Sequence, residues 1–183
     1  MDCIRCSAKT CRTAESCGAE KFSKADLLEV YADEENQKIL QAAASLVDHG
    51  RAGTLSRIQE IIEFIKTMRY GKVGLAYCYG MENDARKIKE QFKEQGIKLA
   101  SVSCTVGGIT QDEINSNCSI HKVTCNPVGQ ASQLNSENVE FVIMMGICLG
   151  HDILLQRNLK ADSTTLVVKD RVFNHNPLLG LKE

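Results

Sequence analysis

The sequence predicts an α/β fold: a Rossmann-like open parallel sheet flanked by helices, preceded by a helical segment and an N-terminal metal-binding cysteine knuckle. Three observations lead there. From residue 71 onward, short apolar runs that end near glycine alternate with amphipathic segments, the order of a parallel β/α sheet. Between residues 21 and 70 the apolar residues recur every three or four positions instead, a helical period. Residues 1–20 are polar and carry four cysteines with no apolar period, so they need a staple to take a shape.

In the helical segment, Ser23 is placed to cap a short helix bearing Leu27, Leu28 and Tyr31. A longer helix follows through Ile39, Leu40, Ala43, Leu46 and Val47, with Gly50 past its end. Thr54 is expected to cap a third, with Leu55, Ile58, Ile61, Ile62, Ile65 and Met68 on one face and Gly71 as the stop. The period then changes. KVGLAYCYG (72–80) reads as a buried strand, 82–95 as a surface helix turning Ala85, Ile88 and Phe92 inward, and KLASVSCTVGG (98–108) as the next strand. Asn126 and Pro127 read as a helix entry leading through Ala131 and Leu134, and EFVIMMGICLG (140–150) is the most apolar strand. A short helix from His151 to Asn158 leads into the last strand, TTLVVKD (164–170). One α/β domain over 21–183 behind a cysteine-rich segment over 1–20 is the expected organisation.

The composition limits the function. With 22 basic and 23 acidic residues the net charge is -1, which lacks the basic excess that draws a protein onto phosphate backbones. No run reaches the ~20 apolar residues of a membrane helix, and the first residues lack the charged and apolar regions of a signal peptide. The expectation is a cytoplasmic protein with neither nucleic acid nor membrane as partner. In that reducing compartment nine cysteines, an odd number, point to metal ligation or thiol chemistry rather than disulfides.

The cysteines form two sets. Cys3, Cys6, Cys11 and Cys17 have the spacing C-x2-C-x4-C-x5-C. A pair two residues apart is a common chelating unit, and two further thiolates close a tetrahedral site like that of a zinc knuckle with cysteine in place of histidine. An iron–sulfur cluster takes the same four thiolates. Against this stands a disordered tail in which cysteines happen to cluster.

The second set, Cys78, Cys104, Cys125 and Cys148, follows the fold: three lie at the ends of successive strands and Cys125 opens a helix. In an open parallel sheet the strand carboxyl ends form the rim outside which ligands bind. A single strand-end cysteine is ordinary core packing; four converging on one rim predict a second metal site. His151 and Asp152 in LGHD, and Lys169, Asp170, Arg171, His175 and Asn176 in VKDRVFNHNP, are its expected neighbours, with Cys148 and His151 as candidate catalytic residues. Cys118 falls in a polar loop, and His49 and His121 read as surface histidines without partners.

CIRC at the start, then GLAYCYGMENDA, VSCTVGG, CNPVGQA, GICLGHD and VVKDRVFNHNP, together resemble an uncharacterised prokaryotic family described as cysteine-rich and metal-binding, which carries a domain of unknown function. The resemblance spans nearly the whole chain and implies metal binding through the cysteines, with no named reaction. The chain departs from the family in the linker between Gly108 and Cys125, which is short and adds Cys118.

Three functions fit this reading. The first is a metal-binding protein that binds or senses zinc or an iron–sulfur cluster at the rim, with a structural N-terminal site. The second is an iron–sulfur redox enzyme or electron carrier with a redox partner. The third is a thiol-dependent enzyme acting on a small-molecule ligand. The rim lacks a C-x-x-C pair and the chain lacks G-x-G-x-x-G, which weighs against the third.

Overall fold

The structure, a computed structural model, describes residues 2–181. The chain divides after Ser45 into two compact units.

In the first unit a 3-10 turn over Thr10–Thr13 lies between two residues in left-handed conformation, Lys9 and Ala14. Helix α1 (Lys24–Ala32) starts where expected, with the Ser23 hydroxyl accepting a hydrogen bond from the Asp26 amide. It buries no residue, and Leu27, Leu28 and Tyr31 remain exposed. Helix α2 (Glu34–Val47) follows, with Glu34 and Glu35 in its first turn, where the helix dipole favours negative charge.

The second unit begins its regular structure with α3 (Arg57–Met68), which is capped by Ser56 rather than Thr54. The Ser56 hydroxyl accepts from the Gln59 amide while the Gln59 side chain accepts from the Ser56 amide, so two otherwise unpaired donors are satisfied. The Thr54 hydroxyl donates instead to the Arg51 carbonyl. Ser56→Ala is expected to cost about 1 kcal/mol, read as a lowered thermal midpoint.

Four parallel strands follow: β1 (Val73–Tyr77), β2 (Leu99–Ser103), β3 (Phe141–Met145) and β4 (Asp162–Val167), in the spatial order β2-β1-β3-β4. Val73 is opposite both Leu99 and Phe141, so the three carboxyl ends lie level. Helices α4 (Glu82–Glu94), α5 (Gln111–Ile114), α6 (Pro127–Ser136) and α7 (His151–Asn158) fill the connections. The sheet separates two apolar clusters. Ile61, Ile62 and Ile65 of α3 and Ala85, Ile88 and Phe92 of α4 pack with Leu75, Ile143 and Met145. On the other side, Ala131 and Leu134 of α6 and Leu155 of α7 pack with Ala76, Val102, Val142 and Met144. Side chains alternate faces along a strand, so β1 and β3, buried throughout or nearly so, need apolar residues on both faces. Helix α6 lies so close to β1 that a Cβ on Gly74 would come within 2.8 Å of Leu134 Cδ2. The Rossmann-like expectation holds.

Strand ends differ from the expected ones for one reason. β2 stops at Ser103 and β3 at Met145, where the chain turns on Gly107 and Gly146, both at positive φ. Cys148 therefore lies in the turn beyond the ladder, while Cys104 stands one residue past the end of β2. β4 starts earlier than expected, at Asp162. The linker after Gly108 is not a plain loop either: it holds α5 and a bridge between Thr110 and Val123.

Candidate metal centre at the sheet rim

The chain runs from β1 outward to β2 and then crosses to β3 on the other side of β1. This reversal between β1 and β3 is the switch point where open α/β sheets bind ligands. Cys78 follows β1 directly and Cys148 stands three residues after β3.

Backbone hydrogen bonds hold each cysteine in place. The Cys78 amide donates to the Met145 carbonyl at 3.0 Å and the Cys104 amide to the Tyr77 carbonyl at 2.9 Å, so both continue the parallel ladder by one residue. The Cys104 carbonyl accepts from the Asn126 amide at 2.7 Å, which ties the turn after β2 to the entry of α6. Asn126 is that helix's cap: its Oδ1 accepts from the Gly129 amide at 2.8 Å, and its Nδ2 donates to the Val106 carbonyl at 3.1 Å. Cys125 is thereby held beside Cys104. At the third turn the Asp152 carboxylate accepts from the Gly150 amide at 2.8 Å, and the Asp152 amide donates to the Cys148 carbonyl at 3.0 Å. Gly146 makes room for this turn, since a Cβ there would strike the Met81 sulfur.

The four rim cysteines line one narrow recess with Gln130, Ile147 and His151. Cys125 Sγ lies 3.5 Å from Cys104 Sγ. Cys125, Cys148 and His151 present ligand atoms that all lie within 4.8 Å of one another. Two cations reach the other sulfurs: Lys169 Nζ donates to Cys78 Sγ at 3.4 Å, and an Arg171 guanidinium nitrogen to Cys148 Sγ at 3.0 Å. The Tyr79 amide donates to Cys104 Sγ at 3.4 Å.

Burial sets the protonation of the inner thiols. It pushes the Cys104 thiol up, although the Tyr79 amide works against it. Cys125 is pushed up to about 12 by burial first, then by its hydrogen bond to Cys104 and by the surrounding sulfurs. The hydrogen bond to Cys148 holds the Arg171 guanidinium above its ordinary range.

Two polar atoms in residues lining the recess are buried without a hydrogen-bond partner, His151 Nδ1 and Gln130 Oε1. The glutamine cannot be turned to cure this. Its Nε2 donates to the Tyr77 and Val102 carbonyls at 3.2 and 2.9 Å, and carbonyls accept only from the nitrogen end. An orphaned buried acceptor costs about 1–3 kcal/mol, so the recess favours a cation or a donor. Thiolate sulfur and imidazole nitrogen together suit zinc and other thiophilic ions, so the residues present fit a metal.

The remaining predicted neighbours take structural roles. Asp170 accepts from the Val172 and Phe173 amides, both at 2.9 Å. His175 Nδ1 lies against the Asp170 amide and the Val168 carbonyl. Asn176 precedes the 3-10 turn Pro177–Gly180. His121, read from the sequence as partnerless, pairs with Asp112 at 3.0 Å. Gln130 was missed, because a glutamine inside a helix carries no motif. The signal that could have found it is its place one turn into the helix that Asn126 and Pro127 open.

In the first unit Cys3, Cys11 and Cys17 are exposed and Cys6 is partly buried. Among the described residues, the grouping of three or more ligand side chains within 4.8 Å is the one at the rim, and the N-terminal cysteines do not form another. Lys9 donates to the Cys3 carbonyl, and Glu20 accepts from the Cys17 amide and the Ser16 hydroxyl. Arg5 pairs with Asp2. No helix among the described residues is long and apolar enough to cross a membrane.

Comparison with known proteins places the chain in a family but names no activity. An uncharacterised protein of the archaeon Methanocaldococcus jannaschii is 40% identical over 179 residues, covering 96% of this chain and 91% of the relative. No solved structure matches the chain. The model of a family described as protein of unknown function (DUF1847) matches residues 15–166, a span that holds Cys17, all four rim cysteines and His151 but begins after Cys3, Cys6 and Cys11. With its fold, its rim cysteines and most of its length inside that match, the chain belongs to the DUF1847 family.

Proposed function

We propose that the protein binds or senses a metal at the sheet rim, where Cys125, Cys148 and His151 hold the ion. Cys104 and Cys78 form the adjoining wall. One observation carries the reading: the partly buried His151, whose Nδ1 is itself buried without a hydrogen-bond partner, sits in the single cluster of ligand side chains among the described residues, beside two thiols. Three protein ligands leave a coordination position open, as in zinc sites that bind a water or a small ligand. A bound zinc would act there as a Lewis acid toward that ligand. Arg171 and Lys169 donate to the sulfurs of Cys148 and Cys78, where they would offset the negative charge brought by metal ligation.

A second reading, an iron–sulfur centre, is favoured by the four thiols that line the same recess. Anaerobic purification of full-length protein in which Cys3, Cys6, Cys11 and Cys17 are replaced by serine, followed by metal analysis and a visible spectrum, separates the two. A colourless protein with zinc supports the first reading; a brown protein with iron and acid-labile sulfide supports the second. Protein that takes up no metal from either source overturns both.

For Cys3, Cys6, Cys11 and Cys17 we propose a separate closed site of structural role, supported by their spacing. The segment would have to close around the ion as it binds, the usual behaviour of small metal-ordered segments.

A further inference from the structure

We propose that Cys104 and Cys125 form a redox dithiol whose oxidation by a small-molecule disulfide withdraws Cys125 from the metal set. The inference rests on the rim metal reading and extends it from binding to redox-controlled release.

The two sulfurs are 3.5 Å apart. A disulfide bond is about 2.05 Å, so closure needs a shift of about 1.5 Å, within reach of side-chain rotation. Their backbones are already coupled, because the Cys104 carbonyl accepts from the residue after Cys125 at 2.7 Å. Cys125 stands in both groupings, as neighbour of Cys104 and as one of the three metal-ligating candidates. A sulfur bonded to another sulfur is no longer a thiolate donor, so the two states exclude each other. Cys125 is partly exposed while Cys104 is buried, which makes Cys125 the sulfur that a reagent meets first.

The chemistry balances with a disulfide R–S–S–R as oxidant. The Cys125 sulfur attacks one sulfur of the reagent, forming a mixed disulfide and expelling RS⁻. Cys104 then attacks the Cys125 sulfur, forming the Cys104–Cys125 bond and expelling the second RS⁻. In the zinc-free protein the protons lost by the two thiols end on the two released thiolates. From the zinc-loaded protein the bond between Cys125 and zinc breaks as its sulfur is taken up, the Cys104 proton goes to one released thiolate, and the freed zinc offsets the charge of the other. The protein loses two electrons and the reagent gains them.

The test uses full-length protein in which Cys3, Cys6, Cys11 and Cys17 are replaced by serine, so that bound zinc reports on the rim alone. It is loaded with zinc, then treated with glutathione disulfide while a chromogenic chelator records release, and the disulfide is located by peptide mass spectrometry without reduction. The expected result is a Cys104–Cys125 bond formed in step with loss of the one rim zinc, reversed by dithiothreitol. Cys104→Ser and Cys104→Ala, with circular dichroism as folding control, are each expected to slow release at least tenfold. Disulfide mapping is repeated on zinc-free wild-type protein, which does not depend on either variant. A bond located elsewhere, or none, overturns the inference even if zinc binds. Protein that binds no rim zinc yet forms the Cys104–Cys125 bond keeps the dithiol and overturns the metal reading instead.

Discussion

Cys125→Ser is expected to abolish metal binding at the rim while the protein stays folded. The residue gives up a soft sulfur donor that oxygen replaces poorly. Replacing even the outer partners of metal ligands costs about 10–100-fold in affinity, so loss of a ligand is expected to cost at least about 100-fold. The fold should tolerate the change, since serine is close in size and the local backbone is held by Asn126 and by the Cys104 carbonyl. The same variant removes the partner of Cys104 and forms no disulfide there. The parent protein supplies a check through pH. The Cys125 thiol is pushed up to about 12, so it is protonated near neutrality and must lose that proton to bind a metal. Affinity therefore falls as pH falls, by about tenfold per pH unit for this group, and calorimetry in two buffers of different ionisation enthalpy should register the proton released.

Gln130→Ala is expected to give the largest loss of stability, about 3 kcal/mol, or a thermal midpoint lower by roughly 6–12 °C. Gln130 is fully buried, and its amide nitrogen bridges the Tyr77 and Val102 carbonyls, latching the ends of β1 and β2 just before Cys78 and Cys104. Alanine removes both hydrogen bonds and opens a cavity between α6 and the sheet. Removal of the unpartnered Oε1 returns part of the cost, which keeps the estimate below the sum of the separate losses. Thermal unfolding followed by circular dichroism reads the effect; a midpoint unchanged from the parent would mean that the latch contributes nothing.

The sheet was legible because its strands carry their burial in their composition: VGLAY and FVIMM need two apolar sides and state it in every residue. Helix α4 was equally plain, with Ala85, Ile88 and Phe92 inward on an otherwise charged segment. The convergence of Cys78, Cys104, Cys125 and Cys148 followed from topology, since a parallel sheet brings all its carboxyl ends to one side. What sequence did not resolve was the pairing within the rim. That Cys125 lies near Cys104, while Cys148 and His151 complete the ligand group, depends on turn geometry at Gly146 and Gly150 and on the Asn126 cap. The His121–Asp112 contact and the Ser56 cap show the same division. SRIQ carries the capping-box spacing and was readable, whereas the approach of His121 to Asp112 depends on how the linker folds back.

The measurement that tests the rim centre most directly is anomalous diffraction at the zinc edge from crystals of zinc-loaded, reduced protein. The expected map has a peak bonded to the sulfurs of Cys125 and Cys148 at about 2.3 Å and to the His151 imidazole at about 2.0–2.1 Å. A map with its peak among Cys3, Cys6, Cys11 and Cys17 and none at the rim would contradict the assignment of the metal to the carboxyl edge of the sheet.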